Sequence, residues 1–394
     1  MSLQETLVMA PKRIGSVAAL IVGTLLSGLA HAKPLKVFIL AGQSNMQGKA
    51  RVRTIERLPL TEDGKQMYQD MMGEDGKPVA PKGVYGVYFT SGRTGPEVHK
   101  GPLRPSYDQE SDPNDSFGPE YTFAITMAKH LKEPFLVIKT AWGGKDLIQQ
   151  FRPPSAGPYT KDKDRHDNPT GHFYRQMMAH VKEVLADPGK YHPDYQAADG
   201  YELAGFVWFQ GYNDLVGPYP AKAGGGKDFS EYTRLLTLFI QDVRKDLDAP
   251  KLPFVIGVMG IDGPIDEPKN AQYQFREAQN AVASLPEFQG NVKAVRTEKY
   301  WDMELKRIQA KVAEAAKKKI LETEPKTGGR ALQRAAGKLA TSIEAEVLTP
   351  EELKISQTGT SNAAFHYMGS AYTYGNIGKA FADSMAEMLT SAND

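Results

Sequence analysis

Leu35-Lys36-Val37-Phe38-Ile39-Leu40, followed at once by Ala41-Gly42-Gln43-Ser44-Asn45-Met46, is the stretch on which the fold turns. A near-continuous apolar run ending in a Gly-containing polar turn suits a strand covered on both faces, as in a parallel sheet. Runs of the same kind recur at 84–89 (VYGVYF), 135–139 (FLVIK), 203–209 (LAGFVWF) and 254–258 (FVIGV), with 291–295 (NVKAV) as a weaker sixth. Helical periodicity fills several of the intervals. Phe123, Met127 and Leu131 repeat at four-residue spacing behind Gly118-Pro119, a cap followed by a first-turn proline. Phe173, Met177, Val181 and Leu185 mark a second helix, Leu235, Leu236, Phe239 and Val243 a third, and Ile377, Phe381, Met385 and Leu389 the last. Strand-then-helix alternation of this kind predicts an α/β layered domain with a mostly parallel sheet.

Three stretches break the alternation. Residues 91–117 and 150–171 are rich in Pro, Gly, Asp and Ser and read as long surface loops. In open α/β sheets ligands bind beyond the carboxyl ends of the strands, where such loops wall a site. Residues 303–348 are dominated by Ala, Lys, Glu and Arg with a break at Thr327-Gly328-Gly329, which predicts a late, charged helical insertion, either a solvated appendage or a partner-docking arm.

The first 32 residues read as an export signal. Lys12 and Arg13 precede an apolar run over 14–30, and Ala30-His31-Ala32 supplies the small residues of a cleavage site. The run is interrupted by glycines, serines and a threonine, and it is short for a membrane span of about 20 residues. Cleavage after Ala32 leaves 33–394 as one domain, secreted or periplasmic, with no membrane attachment. It also leaves 46 basic and 46 acidic residues, a balance that implies neither a nucleic-acid partner nor a polybasic membrane contact. With no cysteine, the chain has no disulfide framework, thiol nucleophile or thiolate metal site.

Four segments fall at the expected ends of strands or starts of helices, and each has an ordinary reading when taken alone. Ser44, after the first strand, is a turn or cap residue unless its hydroxyl is presented above the sheet edge as a nucleophile with its own N–H facing an oxyanion. Gly118 starts a helix, and could leave a backbone N–H free as a second oxyanion donor. Gln210-Gly211-Tyr212-Asn213-Asp214 is a turn, or else a place where the Asn213 amide donates to an oxyanion and Gln210 and Asp214 orient the loop. His366, before the last helix, is structural, or is the imidazole that takes a proton from a serine near neutral pH.

Together, Gly42-Gln43-Ser44-Asn45-Met46, Gly118-Pro119-Glu120, Gln210-Gly211-Tyr212-Asn213-Asp214 and the late His366 resemble the ordered blocks of the SGNH hydrolases. Within these they are most similar to the sialate O-acetylesterase-like and acetylxylan-esterase-like branch, which begins its first block with Gly-Gln-Ser-Asn. Thr140-Ala141-Trp142-Gly143-Gly144 also resembles a loop beside that branch's site. The resemblance implies a three-layer α/β/α domain with a flavodoxin-like parallel sheet. It implies Ser44 as nucleophile, His366 as general base, and Ser44 N–H, Gly118 N–H and Asn213 as the oxyanion hole, with Gln210 in support. The reaction implied is removal of O-acetyl groups from an acetylated carbohydrate through an acyl-enzyme, with no metal and no organic cofactor.

One departure stands out. The family commonly places an Asp three residues before the histidine, and here Ala363 occupies that position. The ring could be oriented by Asp302 or Glu298, by a backbone carbonyl or Asn362, or by nothing, as in a Ser-His dyad or an inactive site. The rival functions are therefore a catalytically silent glycan-binding protein and a serine esterase for a lipid or aryl ester. Metal chemistry has little support. No His-Glu-x-x-His pattern is present, and Asp162, Asp164 and Asp167 alternate with Lys and Arg without the glycine of a calcium loop.

Overall fold

A computed structural model describes residues 33–92, 94–107, 112–160, 169–326 and 328–391. The expected signal and the Asp162, Asp164 and Asp167 segment lie outside the described residues. Residues from Pro34 onward form one unit.

The six predicted apolar runs, with one further strand, β3, form one seven-stranded sheet: β1 (Leu35–Gly42), β2 (Val84–Ser91), β3 (Pro96–Pro102), β4 (Phe135–Ala141), β5 (Tyr201–Phe209), β6 (Phe254–Val258) and β7 (Val292–Arg296). Their order is β3-β2-β4-β1-β5-β6-β7, and all pairs are parallel except the β2–β3 hairpin. Setting that hairpin aside, the remaining five strands run second-first-third-fourth-fifth in chain order, the flavodoxin-like arrangement. β3 corrects the expectation of a structureless loop over 91–117. Its sequence PEVHKGP is mostly exposed, lacks apolar alternation and has a proline at each end, features of a blunted edge strand.

Alternating side chains set the layers. Phe206 and Trp208 of β5 meet Phe239 of α4 (Ser230–Asp246), with ring centroids 6.1 and 4.3 Å apart. Phe209, pointing the other way, meets Phe381 of α9 (Ala371–Ser391) at 5.4 Å. Phe38 of β1 packs edge-on to Phe123 of α2 (Pro119–Leu131) at 5.5 Å, and α2 lies along α9. On the side of α4, α3 (His172–Ala186) joins it through a Tyr174–Asp246 hydrogen bond, and α5 (Ala271–Ala283) packs beside it. Every residue of β4 and β6 is buried, Lys139 and Thr140 of β4 included.

The late charged segment forms two helices, α6 (Met303–Thr323) and α7 (Gly329–Val347), packed on each other. Asp302 caps α6 by accepting from Leu305 N–H at 2.9 Å. A third helix, α8 (Pro350–Gly359), starts with a Thr349–Glu352 capping box and returns the chain to the segment that carries His366. Among the described residues no helix is long and apolar enough to cross a membrane.

Candidate active site

β1 is the central strand, with Gly42 opposite Ala141 of β4 and Phe209 of β5. Gly42 has no alternative at this point, because a Cβ there would lie 2.1 Å from the Phe209 carbonyl oxygen. The chain then turns into a single helical turn, α1 (Ser44–Gln47), at the carboxyl edge of the sheet. Ser44 is the first residue of that turn, so its N–H has no intrahelical acceptor, and its Oγ makes no hydrogen bond among the described residues.

Gln43 ties this turn to the loop after β5. Its Oε1 accepts from Gln210 Nε2 at 3.1 Å, Gly211 N–H at 3.2 Å and Asn213 N–H at 3.4 Å. Its Nε2 donates to Asn213 Oδ1 at 3.1 Å, so the group that Asn213 has left to offer is its Nδ2. Gln210 is held on all sides. Its Nε2 reaches Asp214 Oδ2 at 2.6 Å and the Lys145 carbonyl at 2.9 Å, and its Oε1 accepts from Tyr232 at 3.0 Å. Asp214, fully buried, also accepts from Leu147 N–H, Ile148 N–H and Tyr219 OH. Burial raises its pKa first, then the nearby Asp146 charge, against the pull of these donors. Asp214 therefore joins the loop after β5 to the loop after β4, and it is structural to the site.

The Gly118 N–H, expected to be free, is engaged. It donates to Glu120 Oε1 at 3.0 Å, and the glycine lies behind the Ser44 turn against Gly48. A Cβ on Gly48 would come within 2.1 Å of Gly118 N, so the two glycines serve close backbone packing. Glu120 also pairs with buried Lys139 at 2.8 Å, whose Nζ donates to the Gln47 carbonyl at 2.8 Å. Gly143 is the glycine that faces the serine: a Cβ placed on it would sit 3.8 Å from Ser44 Cβ. It is exposed, and its N–H has no partner among the described residues. The resemblance of Thr140–Gly144 to a loop beside the site gives Gly143 no role of its own. The signal that could have found it is its place directly after the strand neighbouring β1.

His366 lies in a short irregular helix, Ala364–Gly369, before α9. The segment is docked beside Ser44 through its neighbour: Asn45 Nδ2 donates to the Phe365 carbonyl at 3.2 Å, while Asn45 Oδ1 accepts from Tyr374 OH at 2.8 Å. Tyr367 and Met368 have φ of 50° and 56°, a left-handed conformation costing about 1 kcal/mol or more per non-glycine residue. Tyr367 anchors it, its ring buried and its OH bound to Gly260 N–H at 2.7 Å and Thr297 Oγ1 at 2.8 Å. His366 makes no hydrogen bond to Ser44.

The orienting group is Asn362, whose Oδ1 is 2.8 Å from His366 Nδ1. Neither candidate acid reaches the ring. Asp302 is buried against Arg57, with Nε–Oδ2 at 2.9 Å and Nη2–Oδ1 at 3.2 Å. Glu298 accepts from Arg296 Nε at 2.6 Å. An amide oxygen only accepts, so Nδ1 carries the proton and Nε2 presents its lone pair. With no carboxylate beside it, His366 is pushed down to about 4, by burial first and then by the charge of Lys49. Burial also pushes the Lys49 ammonium down, and no counter-ion meets it among the described residues. No group of three or more His, Asp or Glu side chains is placed to hold a metal ion among the described residues.

This strand order, with a serine, an asparagine and a late histidine beyond its carboxyl edge, is the arrangement of an SGNH hydrolase. The chain belongs to the carbohydrate esterase family described as sialic acid-specific acetylesterases, whose model matches residues 34–313, well over half of the chain. His366 lies beyond the matched stretch. A search of curated proteins finds no match. Among solved structures, the chain is similar to a protein of Arabidopsis thaliana, at 17% identity over 80% of this chain and 99% of that one, TM-score 0.40. It is similar to a carbohydrate acetylesterase of Xanthomonas citri, at 16% identity over 66% of this chain and 49% of that one, TM-score 0.39. A third is a carbohydrate esterase family 2 enzyme with a carbohydrate-binding domain from Corynascus thermopiles (Myceliophthora fergusii). That match has 14% identity over 80% of this chain and 67% of that one, TM-score 0.30.

Proposed function

We propose that this protein is an exported serine esterase that removes O-acetyl groups from a carbohydrate, with Ser44 as nucleophile and His366 as base. The observation that carries the reading is the unpartnered Ser44 at the end of the central strand, joined through Gln43 to an Asn213 whose free amide is an N–H donor. Ser44 Oγ attacks the acetyl carbonyl as its proton passes to His366 Nε2. The carbonyl oxygen becomes an oxyanion, for which Ser44 N–H, Asn213 Nδ2 and the Gly143 N–H, in place of Gly118, are the available donors. His366 returns the proton to the departing sugar oxygen, and water repeats the sequence to release acetate and free Ser44.

A His366 held near 4 is neutral, hence competent to accept a proton, through the whole neutral range. It is a weaker base than an ordinary imidazole, so the oxyanion donors carry more of the barrier reduction. The Ser44–His366 hydrogen bond forms on substrate binding, since catalytic contacts are commonly long before the substrate arrives. The test is acetate release from O-acetyl sialic acid and from acetylated xylan by the wild type and Ser44→Ala. Ser44-dependent release supports the esterase. Glycan binding without release favours the silent binding protein, and a preference for long acyl chains favours a lipid esterase.

A further inference from the structure

An aromatic pair, one ring exposed and one half-buried, borders the site. Phe365, 42% exposed and adjacent to His366, stacks on Tyr212, adjacent to Asn213, with centroids 5.5 Å and planes 30° apart. The rings come from two segments, the turn after β5 and the Ala364–Gly369 segment. Asn45 fixes the Phe365 carbonyl while the residue keeps part of its apolar surface in water, which forgoes burial. One helical turn beyond Tyr212 stands Val216, 56% exposed, whose N–H donates to the Tyr212 carbonyl at 3.2 Å. Val216 lines a cavity of about 550 Å³ together with Asp262, Ile265 and Lys306. Its far wall is tied to the histidine segment, because Gly260 N–H, two residues before Asp262, binds Tyr367 OH. Lys306 comes from the first turn of α6 and donates to the Asp262 carbonyl at 2.7 Å, so the charged insertion contributes to this wall.

We propose that the strip Phe365–Tyr212–Val216 and the cavity behind it bind a glycan chain, the acetylated sugar stacking on the aromatic pair and the next sugar lying against Val216 and Lys306. This rests on the carbohydrate-esterase reading and adds to it that the substrate is an oligosaccharide or polymer rather than a free monosaccharide. The size fits small-molecule sites, which run about 300–1,000 Å³. The chemistry also fits: sugar rings present apolar C–H faces to aromatic and aliphatic surface, and hydroxyls to the carbonyls, carboxylate and ammonium at the rim. Phe365 and Tyr212 are thus specificity-determining residues, and α6 supplies a substrate contact.

The experiment compares an acetylated oligosaccharide, an acetylated monosaccharide and p-nitrophenyl acetate on wild type, Phe365→Ala, Val216→Asp and Lys306→Ala. The ratio of kcat/KM for oligosaccharide to that for p-nitrophenyl acetate is expected to fall at least tenfold in Val216→Asp and Phe365→Ala, through KM, and several-fold in Lys306→Ala. Equal loss on all three substrates in Phe365→Ala, with no change of ratio in Val216→Asp, would overturn the proposal and leave Phe365 as a positioning residue for His366. Binding of the oligosaccharide to Ser44→Ala protein, with and without Val216→Asp, keeps the test independent of turnover. Weakening of at least tenfold supports the strip even if no ester is cleaved, and identical affinity refutes it.

Discussion

Asn362 Oδ1 accepts from His366 Nδ1 at 2.8 Å, where an SGNH hydrolase commonly has a carboxylate three residues before the histidine. The amide fixes the tautomer, since its oxygen can only accept, but it brings no negative charge to stabilise an imidazolium. Asn362→Ala should therefore lower kcat by about tenfold, the value of one hydrogen bond near 1.4 kcal/mol, with little change in KM. Asn362→Asp should move the acid limb of the kcat/KM profile upward, because a carboxylate at that atom favours the charged ring. Steady-state kinetics across pH decide both. Unchanged kcat in Asn362→Ala would return the site to an unsupported dyad.

Lys49 provides a second handle on the same proton. A base works when deprotonated, and a folded-state value near 4 keeps His366 competent down to mildly acidic pH. Activity should thus be lost only as pH falls through about 4, provided the fold survives there. Lys49→Met removes the charge that opposes protonation, so the limb should move toward higher pH and activity at pH 5 should drop relative to pH 7. A limb that stays in place would show that burial alone sets the value.

Asp302 and Glu298 separate structure from catalysis. Arg57 and Asp302 are both almost fully buried, and removing one partner of such a pair typically costs about 3–5 kcal/mol. Asp302→Asn should lower the midpoint of thermal unfolding while leaving the pH profile of the folded enzyme where it was. A shifted profile without loss of stability would instead make Asp302 an electrostatic partner of the histidine.

The two glycines should respond in opposite ways. Gly143→Pro removes the N–H proposed as an oxyanion donor, and loss of one such donor costs about 10²–10³ in kcat. Gly118→Ala meets Gly48 Cα at 2.8 Å, so it should destabilise the fold around the Ser44 turn before it touches chemistry. Urea unfolding set beside kcat for both variants checks this. A stable Gly118→Ala protein with the larger loss in kcat would restore Gly118 to the oxyanion hole.

The architecture was legible because β1, β4, β5 and β6 are buried on both faces, and two-sided burial writes itself as continuous apolar runs. β3 was not legible, since an exposed edge strand is held by backbone hydrogen bonds to β2 and needs no apolar pattern. Ser44, Asn213, Gln210 and His366 stood out as candidates because they follow strands or precede a helix, and the structure places Ser44, Gln210 and Asn213 in loops joined through Gln43. The state of the Gly118 N–H was not legible, for a physical reason. A glycine before a helix leaves its N–H free only when no side chain accepts it, and Glu120 two residues on does accept it. The sequence offered Asn362 among several candidates to orient His366 but could not choose between them, because the choice depends on how the irregular Ala364–Gly369 segment folds back, with Tyr367 and Met368 in a left-handed conformation.

The most direct test is to mix the protein with excess p-nitrophenyl acetate, quench at the time of the first turnover and locate any acetyl group by mass spectrometry of the peptide containing Ser44. A burst of nitrophenol with acetyl on Ser44, absent from Ser44→Ala and slow to clear in His366→Ala, is the expected result. Acetate release that proceeds at the same rate in Ser44→Ala, or acetyl found on another residue, would contradict Ser44 as the nucleophile.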